Sequence, residues 1–467
     1  MGRDNANARA IGLFIATTAE RSIPPVVLDA ARLCLSDWMC VAIGAADEPA
    51  GRIMRETVAG WHSAGRASVL YGKPAAAPFA ALANGTLAHC LDFDDTYVDA
   101  VTHTSAPVWA ATLALGEETG ATEAAMLAAF VTGFEVGARV GHGLGQAATA
   151  RGWHSTGLFG RIGAAAAAAA LLGLDAGKAR HAVALAATQT SGLTASFGTM
   201  AKPFHAGKAA MDGILAAQLA AGGFTGAIGL MEAGGGLDNA VIQDGTLNIT
   251  PIAFDDWRIL RNSFKPYAAC HLIHPAVDAA RALLAEGLDP ITIQAGRADV
   301  GPLALQVTGM GDGRPATALA GKFDLRYCVA LALHGRDVSA ADFREPWALE
   351  PAIADTATRI AVHHHPDMAF ASAGLTIEAG AAPRSARIAV AKGHPGNPMS
   401  WDDMDRKFNG LTTPALGNRS GALFGLLRRF GEGGSLAEVQ GMIGGLSAGS
   451  VAIRLSTQEA PDGVPRL

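Results

Sequence analysis

The stretch IGAAAAAAALLGL (162–174) sets an unbroken run of alanines inside an apolar helical pattern. Such a helix can bury itself only against partners that come close, because alanine cannot bridge a wide gap and the distance between packed helices follows side-chain size. The same pattern governs the first half of the chain. Residues 26–46, 75–90, 106–118, 121–140, 157–173, 176–190 and 206–220 read as Ala/Leu/Val-rich helices, with breaks such as Gly120-Ala121-Thr122 and Leu174-Asp175. No β-rich run interrupts them. A large all-helical domain with close contacts at glycine is therefore expected. The alanine run is too short to span a bilayer, so no membrane partner is expected.

After about residue 263 the pattern changes. ITIQAGRADV (291–300), LALQVTG (303–309), RIAVHHH (359–365), LTIEA (375–379) and SARIAVAKG (385–393) are short, β-branched or alternating, and bounded by Gly, Pro or Asp, as strands are. FDLRYCVALALHG (323–335) reads as a helix between them, and helical pattern returns at Trp401. The predicted fold is mainly α. Residues 1–263 and 400–467 form one all-helical domain, and 264–399 form an inserted α+β lid. The cleft between them is the expected place for a small-molecule site.

Charge and cysteine usage narrow the function. A net charge of −6 with 17% charged residues argues against a nucleic-acid partner, which calls for a basic field. Five scattered cysteines without C-x-x-C spacing fit a reduced cytosolic compartment rather than a disulfide framework. The opening MGRDNANARAIGLF lacks the apolar core of a signal peptide, so a cytoplasmic location is expected.

Four segments carry candidate chemistry. In GTMAKPFHAGKAAMDG (198–213), Lys202-Pro203 reads as extended or turn, because a proline pushes its predecessor out of the α region. Lys202 and His205 then lie on a loop before a helix N-terminus, a seat for a carboxylate or phosphate. LAHCLDFDDTYVDAVTHTSAPVWAA (87–111) crowds Asp92, Asp94, Asp95 and Thr96 together, with His103 following. Such carboxylates repel unless cations or donors meet them. They read either as helix-capping acids or, with His103, as a proton-transfer unit. A metal site is not favoured, since calcium-loop and His-Glu-x-x-His spacings are both missing. RGWHSTG (151–157) puts His154 at a loop-to-helix junction, with Ser155 and Thr156 as capping oxygens. NSFKPYAACHLIHP (262–275) repeats the Lys-Pro theme at Lys265, with His271 and His274 entering a helix. Arg326 and Tyr327 fall on the lid helix, and His363-His364-His365 reads as solvated surface. GHGLGQ (141–146) follows a helix rather than a strand, so it is a poor dinucleotide fingerprint, and neither a Walker loop nor a G-x-S-x-G elbow is present. Chemistry without a cofactor is the economical expectation.

LDFDDT with its following His, GWHSTG, QTSGL with GTMAKPFHAGKAA, FKPYAACHLIHPAVDAA, GKFDLRYCVALAL and GHPGNPMSWDDMDRKF occur in the order of the MmgE/PrpD family, which the chain resembles over about residues 10–450. That family includes 2-methylcitrate dehydratase, cis-aconitate decarboxylase and iminodisuccinate epimerase. The resemblance implies a metal-free homodimer acting on a small di- or tricarboxylate. It places the active-site positions on Asp92, Thr96, His103, His154, Lys202, Lys265 and Tyr327. Lys202 and Lys265 would hold carboxylates, assisted by Thr96 and His205. His103 or His154 would move the proton, with Asp92 orienting one of them, and Tyr327 would protonate a leaving hydroxyl or a product carbon. Thr104 stands where the family usually has Pro, and Asp324 and Arg326 depart from the pattern around Tyr327, which leaves the role of Arg326 open. The expected activity is a hydro-lyase of the 2-methylcitrate dehydratase type. Decarboxylation and epimerisation are alternatives within the fold, and a non-catalytic carboxylate-binding paralogue is the alternative outside enzymes.

Overall fold

A computed structural model of the protein describes residues 5–343, 350–369, 371–380, 382–444 and 446. It is mainly helical with one small sheet. The helices read from the sequence are α2 (Pro25–Gly44), α4 (Ala77–Cys90), α5 (Ser105–Thr119), α6 (Glu123–Gly141), α8 (Ser155–Leu171), α9 (Ala176–Ala187) and α10 (Ala201–Ala221). They are joined by α1 (Ala6–Ala16), α3 (Pro49–Gly60) and the short α7 (Gly145–Ala150), which the apolar pattern did not mark. α8 is the hub: it packs on α5, α6, α9 and α10, and Ala164 to Ala169 are wholly buried. α6 is long and apolar enough to cross a membrane, but most of it is buried within the protein.

The close approach expected of small residues is explicit between α6 and α8. A Cβ added at Gly133 would lie 2.5 Å from the Gly163 carbonyl oxygen, and one at Gly163 would lie 2.7 Å from the Gly133 carbonyl oxygen. Both contacts involve backbone, which cannot swing aside. Gly133→Val is expected to cost about 1–3 kcal/mol by overpacking, read as a lowered thermal midpoint. An unchanged midpoint would mean that the two helices part without penalty.

The rest of the chain supplies α11 (Leu237–Ile242), α12 (His274–Ala285) and a sheet in the order β2-β1-β3-β4. β1 (Ile293–Val300) pairs in parallel with β2 (Ile360–His364) and antiparallel with β3 (Ala373–Ala379), which pairs antiparallel with β4 (Ala382–Ile388). The parallel pair needs a crossover. α13 (Pro302–Thr308), α14 (Ala318–Lys322), α15 (Leu325–Leu333) and α16 (Pro351–Thr358) lie in that connection. α13 occupies the segment 303–309 that was expected as a strand; Pro302 starts it and Gly309 follows its end. α17 (Trp401–Leu416) and α18 (Ser420–Arg428) return to pack on α2.

Candidate active site

Three helix N-termini and one helix C-terminus meet at the 91–103 loop. α4 ends where Asp92 adopts the left-handed conformation, φ 52°. Asp tolerates this region better than most residues, so the chain turns there without glycine. Val101 is also left-handed, at φ 50°, an uncommon state for a β-branched residue that marks strain just before His103. His103 precedes the N-cap of α5, His154 is the N-cap of α8, and Lys202 is the second residue of α10. Converging N-termini give this region a positive field.

Asp92 is the centre of charge. Lys202 Nζ donates to its Oδ1 at 2.6 Å, and Lys265 Nζ donates to its backbone oxygen at 2.6 Å and lies 3.3 Å from Oδ1. Burial alone would raise the Asp92 pKa, but Lys202, Lys265 and His103 outweigh it and hold the carboxyl well below the usual range. Burial likewise opposes charge on Lys265, and Asp92 and Asp94 outweigh it to raise that pKa. Lys265 reaches Asp92 because its segment is pinned by backbone. Thr96 and Ser263 exchange N–H···O bonds of 2.8 and 2.9 Å, and Phe264 N donates to Gly393 O at 2.9 Å. A third lysine, Lys322, donates to Leu91 O at 2.8 Å, and burial lowers its pKa.

The imidazoles form a second layer. His89 Nδ1 lies 2.8 Å from Asp94 Oδ2, and His103 Nδ1 lies 3.1 Å from the same oxygen. His103 Nε2 is 4.0 Å from Asp92 Oδ1. Thr156 Oγ1 accepts from His103 N at 3.1 Å, fixing the backbone that presents this ring. Burial pushes His89 down to about 4, so it is neutral at pH 7 and its Nδ1–H serves Asp94. His154 is buried and held well below its ordinary value, by burial first and then by His89, Lys202, His103 and His205. Its Nδ1 lies 3.0 Å from His205 Nδ1.

Behind the loop, Lys407 on α17 donates to Asp37 Oδ1 and to Phe93 O, both at 2.6 Å, while Asp37 Oδ2 accepts from Asp95 N at 2.9 Å. Burial and the neighbouring Asp37 push Asp95 up to about 8, so it is a neutral acid at pH 7. Burial raises the Asp37 pKa as well, and Lys407 opposes that rise.

Asp92, His103, His154, Lys202, His205 and Lys265 thus come together, with Thr96 joined to them only through its backbone exchange with Ser263, and with several differences from expectation. Lys202 and His205 are in the first turns of α10, not on a loop. Pro203 fits there because N–H groups of the first turn have no helical partner to lose. None of Asp92, Asp94 and Asp95 caps a helix; lysines, imidazoles and protonation meet them instead. Ser155 and Thr156 do not cap α8, since their hydroxyls bond Gly145 O and His103 N. His205 faces His154 (Nδ1–Nδ1, 3.0 Å). Tyr327 is not brought to the cluster by any described bond: its buried hydroxyl donates to Asp342 O at 2.5 Å. Arg326 neither binds a carboxylate here nor lies free, for it clamps the carbonyls of Ile360, Gly309 and Gly311.

His89 and Lys322 were missed. His89 lies three residues before Asp92 within LAHCLDFDD, a spacing that puts it on the last turn before the site. His89, Asp94 and His103 could also hold a metal ion, their ligand atoms lying within 4.8 Å of one another.

The MmgE/PrpD N-terminal domain model matches residues 9–250, and the C-terminal domain model matches residues 267–423. The chain is similar to the cis-aconitate decarboxylase of Aspergillus terreus, with 27% identity over 353 residues covering 70% of this chain and 71% of that protein. It is similar to the cis-aconitate decarboxylases of Homo sapiens (27% over 379 residues, 76% and 77% of the two chains) and Mus musculus (25% over 374 residues, 76% of each).

Proposed function

The chain belongs to the MmgE/PrpD family, and on that premise we propose that it is a lyase removing CO2 from a small unsaturated tricarboxylate of the cis-aconitate type. This replaces the hydro-lyase of the 2-methylcitrate dehydratase type that the sequence suggested, because the curated relatives it resembles carry the decarboxylase name. One observation carries the reading at the site itself. Two lysine ammonium groups converge on Asp92 where three helix N-termini meet, a concentration of N–H donors and positive field suited to an arriving carboxylate.

In this reading the allylic carboxylate leaves as CO2, and its electron pair spreads through the alkene into the far carboxylate. One proton returns to the former vinyl carbon, and the double bond moves to the former CH2. Lys202 and Lys265 bind carboxylates and stabilise the spreading charge, each ammonium having three N–H donors. His103 and His154 are the imidazoles placed to return the proton. Because the lysines already supply positive charge, we propose that no divalent ion is needed, although His89, Asp94 and His103 could hold one. Offered a panel of di- and tricarboxylates, the protein should release CO2 from cis-aconitate at a rate that a chelator leaves unchanged. Release of water from 2-methylcitrate without CO2 would return the hydro-lyase reading. Loss of activity on chelation, restored by one divalent ion, would overturn the metal-free one.

A further inference from the structure

His205 has a place in the site that carboxylate binding does not explain. Its ring meets another ring: the Nδ1–Nδ1 separation from His154 is 3.0 Å, a hydrogen bond in which one imidazole donates and the other accepts. The two differ in access. His154 is buried, with its ring edge-to-face against the exposed Phe197, and His205 is half-buried. The pair is built from beneath by Gly192, in the positive-φ region at 117°, whose carbonyl accepts from His154 N at 3.0 Å. A Cβ there would sit 3.2 Å from His205 Cγ and 3.4 Å from His154 Cβ, so the position leaves room for the two rings and little else.

The charged and titratable groups around the pair are His89, stacked on His154 at 5.7 Å, and His103, Lys202 and Arg161. Arg161 is bound to Asp212, which also pairs with Lys208 on α10. Apart from that satisfied carboxylate, these neighbours are basic.

We infer that His205 is the solvent-side half of a proton relay, taking a proton from water and passing it across the Nδ1–Nδ1 contact to His154, which delivers it to the substrate carbon. This rests on the decarboxylase reading, whose balance requires it. Each turnover breaks one C–C bond, releases one CO2 and forms one C–H bond, so one proton is consumed from solvent. His154 loses that proton and His205 restores it; the tautomers reset as the emptied site refills with water. In the empty site the basic neighbours and burial keep His154 neutral, whereas a bound polycarboxylate favours its charged form. Proton uptake is thereby coupled to binding.

His205→Ala is expected to fold normally and to lose about 10-fold in kcat at pH 8, with the deficit shrinking towards pH 6 where protons are plentiful, and with KM within about twofold. Free imidazole in the buffer should restore much of the rate. A raised KM with unchanged kcat would make His205 a carboxylate ligand instead. A pH-independent loss without imidazole rescue, or no change at all, would also overturn the relay. A second measurement does not depend on turnover. Binding of propane-1,2,3-tricarboxylate, followed calorimetrically at pH 7.5 in two buffers of different ionisation heat, should take up close to one proton in the wild type. His205→Ala, which removes the Nδ1 acceptor that steadies a charged His154 in its buried place, should take up well under half of that, and equal uptake in both would overturn the relay. Wild-type protein silent on cis-aconitate but showing this difference would refute the decarboxylase reading while keeping His205 and His154 as a coupled proton-carrying pair.

Discussion

Lys265→Met should lower kcat/KM by about 10–150-fold, the worth of one charge-assisted hydrogen bond felt in the transition state. Met keeps most of the side-chain volume and removes only the ammonium. In the folded protein that ammonium satisfies Asp92 O at 2.6 Å and sits 3.3 Å from its Oδ1, with almost no exposure to water. Its removal leaves a buried carbonyl and carboxylate short of a partner, and breaking a buried pair in this way costs about 3–5 kcal/mol of stability. Lys265→Arg should not rescue turnover, since a planar fork cannot replace a compact ammonium between two oxygens of one residue. Steady-state kinetics together with a denaturant titration separates the two effects. A folded variant with wild-type turnover would remove Lys265 from the site.

Asp92→Asn tests the other half of the pair, and its backbone argument is clean. Asn accepts the left-handed conformation that Asp92 adopts at φ 52°, so the turn after α4 is kept while the charge is lost. Lys202 and Lys265, which both approach Oδ1, then face each other without the carboxylate between them. Activity should fall at least as far as in Lys265→Met, and stability should fall with a defined pH dependence. The folded pKa of Asp92 is depressed well below its unfolded value of about 4. The stability it contributes is therefore present above pH 4 and lost as pH falls through the folded value. Lys265 shows the same interaction from the basic side: its raised pKa means the contribution is complete below about pH 10 and lost as pH rises through the folded value. The gap in unfolding free energy between wild type and Asp92→Asn should be wide at pH 7 and narrow as pH drops below 4. A gap of equal size at pH 7 and pH 2 would mean that the pair contributes no electrostatic stability.

The helical half of the fold was legible because its information is local. Runs of small and apolar residues with Gly and Asp breaks mark α2, α4 to α6 and α8 to α10 to within a few residues, apart from the start of α10. That start was misjudged because the rule for residues before proline is weak inside a first helical turn, where Lys202 lies. The segment 303–309 failed for a different reason: a short apolar run has no period long enough to separate strand from helix, and Pro302 with Gly309 was the better signal. In the site, Asp92, His103, His154, Lys202 and Lys265 stood out because each lies at an element end beside a turn former. Their convergence could not be read locally, since it depends on the backbone exchange between Thr96 and Ser263 and on α17 returning Lys407 to Asp37. His89 stayed hidden inside an apolar helix, where a histidine looks like core. Tyr327 shows the opposite limit, a residue marked by motif whose hydroxyl is already committed to Asp342 O.

The most direct test of the central claim is the fate of cis-aconitate incubated with wild-type protein in D2O and followed by NMR. The expected result is one CO2 released for each molecule of 2-methylidenebutanedioate formed, with a single deuterium on the carbon that had been the vinyl CH of the substrate. Formation of a hydrated tricarboxylate, or deuterium exchange with all three carboxylates retained, would contradict it.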